Sequence, residues 1–215
     1  MDAPNFLWSE RYLLIDGIIR TLQIAFFALV FSVIFGLLIG FLRYINNSIS
    51  RFVFRLHLEL FRIIPLIVWL FALFFALPTA LGFTISSINA AIIVFSVWGA
   101  AEMGEIARAA LTTLPKIQKE SAQALGLGSF ASFVYILLPQ ATIRLLPGII
   151  NMATRLVKTT SMASLIGVLE IITRGRHIIE RTSEPFVIYV FIFFFFFVLC
   201  YPLSILAKHM EKKAV

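Results

Sequence analysis

Long stretches without a charged residue alternate with short polar segments along this chain. Asp, Glu, Lys and Arg are absent from residues 21–42, 63–101 and 185–207, which are 22, 39 and 23 residues long. A helix that crosses a bilayer needs about 20 mainly apolar residues, so the first and last stretches each predict one span. The middle stretch is long enough for two spans, with a turn at the segment 77–82, which contains Pro and Gly.

The segments between these stretches complete the predicted architecture. Residues 1–20 predict a short amphipathic entry, and 46–50 predict a polar turn. The spans are expected at about 18–42, from the arginines at 51–62 to about Leu77, at about 88–110, from near Pro139 onward, and at 186–207. Only helices and closed barrels satisfy their backbone in lipid. The chain is therefore expected to be an all-α, polytopic membrane protein with about five transmembrane helices in a single domain, 1–215.

Composition and charge support this class and suggest an orientation. The chain is 60% hydrophobic and 13% charged, with a net charge of +7. The positive charges gather at span ends, which favours membrane orientation over nucleic-acid binding. Arg43 and the loop at 108–119 fall on one side with the basic C-terminal tail, and the connector 78–88 has no Lys or Arg. This predicts an external N-terminus and a cytoplasmic C-terminus. No basic segment precedes an apolar run in residues 1–20, so the first span is expected to act as its own targeting signal.

A polar segment at about 111–130 interrupts the apolar pattern. Pro115 suits the first turn of a short helix, 115–125, and Gly126 suits the position just after its end. Alanines at 122 and 124 would let a partner helix approach closely. A water-facing helix between two spans can serve as a handle that a partner protein moves. The alternative for this segment alone is an ordinary cytoplasmic loop.

Several motifs together resemble a known family along nearly the whole chain. They are Thr21-Leu22, Phe61-Arg62 with Pro65-Leu66, Glu105-Ile106 with Arg108, Pro115-Lys116 through Gly126, Leu138-Pro139-Gln140-Ala141, Lys158 with Thr160-Ser161, and Ile166-Gly167. In this order and spacing they resemble the permease subunit of polar-amino-acid ABC importers, in the binding-protein-dependent transport family. The resemblance implies a type I importer permease fold in a bacterial cytoplasmic (inner) membrane. It also implies a cytoplasmic coupling helix within a coupling loop at about 111–130.

The resemblance also implies functional residues and partners. The residues expected to couple to an ATPase are Lys116, Gln118, Glu120, Ser121, Ala122, Ala124, Leu125 and Gly126. The residues expected along the translocation path are Arg62, Glu102, Arg155, Lys158, Thr160, Ser161 and Glu170. The implied partners are two ABC ATPase subunits, a second permease subunit that is identical or homologous, a periplasmic or lipid-anchored substrate-binding protein, an amino acid and membrane lipid. Nucleic acid is not an expected partner.

Two interpretations fit the charged residues at membrane depth. Arg144 and Arg155 are eleven residues apart, about three helical turns, and Arg155 lies three residues before Lys158. Their shared face could line the path, with Lys158 attracting a substrate carboxylate. Alternatively, these cations pair with Glu102, Glu105 or Glu170, or extend to an interface. Pro147 is expected to kink this span.

The sequence carries no signature of catalysis or of metal binding. The segment Gly126–Ser129 lacks the lysine of a phosphate-binding loop, so ATP and Mg²⁺ are expected on a partner chain, with no cofactor here. The three histidines lack metal-ligand spacing. An intramembrane hydrolase is the rival class and would need Ser161 or Ser164 with His177. A self-contained carrier is a third class, and the internal repeats typical of carriers are not evident.

Overall fold

The chain forms a bundle of long helices joined by short segments. The computed structural model describes residues 7–44 and 48–214, with only the backbone described for residues 50, 51, 213 and 214. The predicted entry at 1–20 and the predicted turn at 46–50 lie partly outside the described residues. The helices are α1 (Arg11–Tyr44), α2 (Ser48–Ile63), α3 (Leu66–Leu81), α4 (Ser87–Thr112), α5 (Lys116–Ala124), α6 (Ser129–Ile166), α7 (Ile171–Thr182) and α8 (Pro185–Ala214).

Four helices are long and apolar enough to cross a membrane. They are α1, α4, α6 and α8, and the pair α2 and α3 adds a fifth segment if the two together form one bent span. The predicted all-α polytopic fold with about five transmembrane segments is confirmed. Helix α5 is too short and too polar to span, and it lies between α4 and α6.

The second predicted span is not one straight helix. Helices α2 and α3 meet at a bend of 102°. Pro65 stands at this break with φ −55° and ψ 138°, an extended conformation. Proline has no N–H to donate and disfavours helical geometry at Ile64 before it, and both effects favour a break here. The predicted span from the arginines at 51–62 to Leu77 is therefore a bent pair of helices and not one continuous helix.

The fourth span begins earlier than its predicted start near Pro139. Helix α6 begins at Ser129 and continues without a break into a 3-10 segment that ends at Ile166. A π-helical turn occupies Phe133–Leu137, immediately before Pro139. Such a turn accommodates the hydrogen bond that the proline cannot donate. The segment 129–138 therefore belongs to the same continuous helix as the predicted span.

The core forms where α1 packs along α4. Small residues on both helices allow the backbones to approach closely: a Cβ added at Gly104 of α4 would lie 2.7 Å from Cγ2 of Ile39 on α1. Ile24, Phe95 and Met152 are fully or almost fully buried in the same core, so α1, α4 and α6 form a single packed unit. This unit positions the polar segments at its two ends.

The end of the bundle where α1 starts carries α7. Arg174 of α7 donates to Asp16 of α1, and Arg181 donates to Glu10 near the start of α1. Both carboxylates come from the beginning of the chain, more than 150 residues away. At the opposite end, Arg43 of α1 lies beside Glu105 of α4, close to the start of α5.

Candidate functional site

The short helix α5 has a defined beginning and end. Pro115 precedes it with φ −59° and ψ 130°, a conformation that starts a helix, and its missing N–H has no helical partner to lose. After Ala124 the chain passes through Leu125 to Gly126, whose φ is +82°. The N–H of Gly126 donates to the carbonyl of Gln123, and the N–H of Leu127 donates to that of Ala122. This Schellman pattern needs a left-handed residue, which glycine adopts without strain.

Two contacts fix α5 to the spanning helices. Ala122 is only 1% exposed, and Nε2 of Gln140 on α6 lies 3.4 Å from Oε1 of Gln118 on α5. Just before α5, Arg144 of α6 donates from Nη1 to the carbonyl oxygen of Thr113 at 2.9 Å. The first part of the segment between α4 and α6 is thereby held to α6 at Thr113 and at Gln118. A displacement of α5 would act on both spans.

The outer surface of α5 and of its flanking residues is unusually apolar for a segment outside the spans. Ile117, Leu125 and Phe130 are 61%, 82% and 80% exposed. We call these three residues the apolar face of the coupling segment. Large apolar side chains left exposed in a segment between spans indicate a site of contact with another protein. Glu120 forms no ion pair within the described part of the chain, so its carboxylate is open to such a partner.

The predicted coupling residues divide between the two sides of this segment. Ala122 and Gln118 face the bundle, and the others are exposed: Lys116, Glu120, Ser121, Ala124, Leu125 and Gly126. Ile117 and Phe130 were not among the residues predicted to couple to a partner. The sequence could have indicated a contact role for both, because each is a large apolar residue in a polar segment that belongs to no predicted span.

A second cluster of charges lies inside the bundle. The carboxylate of Glu102 on α4 pairs with Arg62 of α2 and with Arg155 of α6, each at 3.2 Å. The guanidinium of Arg155 also lies over the ring of Trp98, 5.1 Å from its centroid. The carboxylate is mostly buried while both arginines are about half exposed. One anion therefore joins three helices beside an accessible cationic surface.

The other predicted path residues occupy different surroundings. Lys158 is exposed, one turn beyond Arg155 on α6. The hydroxyl of Thr160 is buried and donates to the carbonyl of Val157, and that of Ser161 donates to the carbonyl of Lys158. Both hydroxyls thus bond to their own helix.

Arg144 does not join the charged cluster. It reaches Thr113 instead, although it lies three turns from Arg155 on the same helix. Glu105 pairs with Arg43 and Arg108 and not with α6. Several ion pairs were considered above for the cations of α6. Among the described residues, the pair that forms is Arg155 with Glu102.

Glu170 acts as the cap of α7. Its carboxylate accepts hydrogen bonds from the backbone N–H groups of Ile172 and Thr173, each at 2.9 Å, and one from the hydroxyl of Thr173. The side chain is fully buried, and burial raises its pKa, while these hydrogen bonds act in the opposite direction. The structure does not bring Glu170 into the Glu102 cluster.

The serines that an intramembrane hydrolase would need are not hydrogen-bonded to His177 among the described residues. The hydroxyl of Ser164 donates to the carbonyl of Ser161, and the described residues contain no hydrogen bond from either serine to His177. A nucleophile and its base must lie within hydrogen-bond reach. The geometry offers no activated serine here.

Comparison with known proteins points in one direction. A family model described as "Binding-protein-dependent transport system inner membrane component" matches residues 16–215. The chain is 32% identical over 209 residues to the "Probable glutamine ABC transporter permease protein GlnP" of Bacillus subtilis (strain 168), covering 96% of this chain and 92% of that protein. It is 30% identical over 208 residues to the "Glutamine transport system permease protein GlnP" of Escherichia coli (strain K12), covering 96% and 95%.

Solved structures resemble the fold over the same extent. A crystal structure of an amino acid ABC transporter with histidines contains a chain that superposes with a TM-score of 0.87 at 27% identity, covering 97% of this chain and 98% of that one. A chain of the MetNI methionine ABC transporter in an inward-facing conformation gives a TM-score of 0.79 at 22% identity, covering 95% and 97%. The second likeness concerns the fold alone.

Proposed function

The chain belongs to the family of binding-protein-dependent transport system inner membrane components, and from that premise we propose that it forms half of the path of an ATP-driven amino acid uptake system. It is a non-catalytic permease subunit of a polar-amino-acid ABC importer and a multi-pass protein of the inner membrane. The proposal adds how the subunit is driven, what lines its path and which chains it joins.

The observation that carries the proposal is the exposed apolar face of the coupling segment. Apolar residues of this size in a water-facing segment indicate a docked partner. Helix α5 is tied to α6 through Gln118 and Gln140, and Arg144 ties α6 to the carbonyl of Thr113. A partner that moves α5 therefore moves the spans. We assign this partner role to an ABC ATPase, which would seat Glu120 and the apolar face in a groove.

The charged cluster supports the proposed path. An amino acid carries a carboxylate and an ammonium group, so its recognition needs charges of both signs. Glu102 supplies the anion, while the half-exposed guanidinium of Arg155 and the exposed Lys158 supply cations about one helical turn apart on α6. Opening one ion pair to admit the substrate would couple its entry to movement of α2 against α6. Thr160, Ser161 and Glu170 would support this region by holding the backbone of the α6–α7 segment.

The remaining parts of the system come from other chains. ATP and Mg²⁺ would bind to two ATPase subunits, and a second permease, identical or homologous, would complete the path. A substrate-binding protein, periplasmic or lipid-anchored, would dock at the end that carries α7. The N-terminus would then be external and α5 cytoplasmic, as the positions of Arg43 and Arg108 favour. ATP binding would open the path outward, and hydrolysis with product release would return it inward.

Uptake by the reconstituted complex tests the path. The permease, its ATPase and its binding protein are placed in vesicles, and accumulation of labelled polar amino acids is measured with ATP inside. Lys158→Met should reduce uptake at least about tenfold, since loss of a hydrogen bond to a charged group costs roughly 1.5–3 kcal/mol. The complex should still assemble. Lys208→Met, at an exposed position near the end of α8, is the control and should transport normally. Unchanged uptake by Lys158→Met would exclude Lys158 from the path.

A further inference from the structure

Two adjoining cavities lie between α1, α2 and α4, at the end of the bundle that carries α5. The first has a volume of about 370 Å³ and is lined by four arginines and two glutamates, a surplus of two positive charges. We call it the arginine pocket; its charged residues are Arg43, Arg55, Glu59, Arg62, Glu105 and Arg108. The second has a volume of about 570 Å³, and its walls are almost entirely apolar. We call it the apolar groove; residues that line it include Phe35, Ile39, Phe54, His57, Val97 and Ala100.

The two cavities follow one another along the same helices. Ile39 lines the groove and Arg43 lines the pocket, four residues further along α1. At 1.5 Å per residue, this separation is roughly 6 Å. On α4, Ala100 and Glu105 stand in the same order. A single molecule with a charged head and an apolar tail could therefore occupy both cavities.

The arginine pocket contains a buried cation with incomplete bonding. The side chain of Arg43 is 9% exposed. Its Nη1 lies 2.6 Å from Oε2 of Glu105, yet neither Nε nor Nη1 makes a hydrogen bond of acceptable geometry within the described part of the chain. A buried donor without an acceptor is costly. An oxygen-rich anion in the pocket would supply the missing acceptor.

The neighbouring arginines favour such an anion. Arg55 is exposed and forms no ion pair among the described residues, and Arg62 is half exposed. Arginine binds phosphate oxygens well because its planar donors match their geometry. Basic pockets between transmembrane helices are places where anionic lipid headgroups bind.

We propose that these cavities form a binding site for an anionic phospholipid of the leaflet on the α5 side, with its phosphate in the arginine pocket and an acyl chain in the apolar groove. Net charge favours an anionic occupant over a second copy of this chain, which carries a net charge of +7. The groove belongs to membrane-spanning helices, where lipid is the available apolar ligand.

Native mass spectrometry of the full-length chain in detergent tests the site. The chain is offered equal amounts of dioleoylphosphatidylglycerol and dioleoylphosphatidylcholine, and the retained lipid is identified and titrated. Phosphatidylglycerol should be retained preferentially. Arg55→Gln should weaken its binding about fivefold, as expected for one arginine beside an anionic headgroup. Arg176→Gln, an exposed arginine of α7 at the other end, is the matched control and should bind as the wild type does. Equal retention of the two lipids, or equal binding by Arg55→Gln and the wild type, would overturn the proposal.

A second variant separates a lipid from other occupants. Val97 lines the groove and is 41% exposed, so Val97→Trp fills the groove without burying a large side chain in the core. It should abolish retention of phosphatidylglycerol, and inorganic phosphate at 10 mM (roughly a physiological level) should not displace the lipid from the wild type. Displacement by phosphate, together with unchanged binding by Val97→Trp, would identify a simple anion site and refute the lipid assignment. A lipid-free dimer that Val97→Trp dissociates would show that a second copy covers the groove, and would also refute it.

Discussion

The two ends of the bundle differ in how far their charged and apolar groups find partners within the chain. At the end that carries α7, the carboxylates find partners within the chain: Asp16 pairs with Arg174, Glu10 with Arg181, and Glu170 caps α7. At the end that carries α5, Ile117, Leu125 and Phe130 stay exposed and Glu120 has no ion pair among the described residues. The first end pairs these carboxylates within the chain, whereas the second leaves Glu120 and three large apolar side chains accessible to a partner.

This difference separates groups that stabilise the fold from groups that remain available to a partner. Groups that only stabilise the fold are satisfied internally, because a buried polar group without a partner is costly. A surface that transmits force must keep contacts available for its partner. Substitutions at the α7 end should therefore change stability, and substitutions at the α5 end should change association.

The largest expected effect comes from the apolar face of the coupling segment. Phe130→Ser should weaken binding of the ATPase at least about tenfold, because truncation of a buried aromatic anchor at an interface costs roughly 2 kcal/mol or more. Titration of ATPase onto the purified permease measures this. Phe186 is 79% exposed at the α7 end, close to the 80% of Phe130, so Phe186→Ser is the matched control and should leave ATPase binding unchanged. Equal binding by Phe130→Ser and Phe186→Ser would remove the distinction between the ends.

The next effect concerns the cap of α7. Glu170→Ala removes the acceptor for two backbone N–H groups and one hydroxyl, so it should lower the free energy of unfolding by about 1–2 kcal/mol. Thermal unfolding in detergent measures the loss. ATPase binding by the folded variant should remain normal. If ATPase binding falls and stability does not, the two ends are not separate in role.

A smaller loss is expected from the ion pair between α1 and α7. Asp16→Asn should reduce the free energy of unfolding by about 0.5–1 kcal/mol, since the pair of Asp16 with Arg174 is only partly buried. Glu180→Gln alters an exposed carboxylate of α7 that forms no ion pair within the described residues, and it should change stability by less than about 0.5 kcal/mol. Unfolding curves of the two variants, measured in parallel, provide the comparison. Identical curves would mean that the pair contributes nothing.

The smallest effect is the pH dependence of Glu170. Burial raises its pKa above the ordinary value of 4.5, and the hydrogen bonds from Ile172 and Thr173 only oppose that shift. The folded chain therefore holds this proton more tightly than the unfolded chain does. The stabilising contribution is complete below about pH 4.5 and is lost as the pH rises through the folded pKa.

The Glu170→Gln variant has no carboxyl group to titrate at this position. Comparison with the wild type therefore isolates the pH-dependent contribution of Glu170 to stability. The difference in Tm between the wild type and Glu170→Gln should shift against the wild type as the pH rises above 4.5. Thermal unfolding at a series of pH values measures this. A difference that moves in favour of the wild type over that range would reverse the sign assigned to the pKa shift.

The sequence determined the class of the protein and the position of the short helix α5. In lipid, the backbone hydrogen bonds of an uncharged stretch of about span length are satisfied when it forms a helix. The number of spans could therefore be predicted from the sequence pattern. Pro115 and Gly126 bounded α5 because each restricts the backbone locally. The break at Pro65 was also local in cause, yet a long apolar stretch concealed it.

Tertiary structure alone decided which charges meet. Asp16 and Arg174 are 158 positions apart, and Arg62 and Arg155 reach the same Glu102 from two different helices. Helical periodicity places Arg144 and Arg155 on one face, but the packing of α6 against α4 sends one to Thr113 and the other to Glu102. The reason is the distance along the chain over which each effect acts. Backbone preferences act over a few residues and appear in the sequence, whereas partners of buried charges are selected by close packing between distant helices.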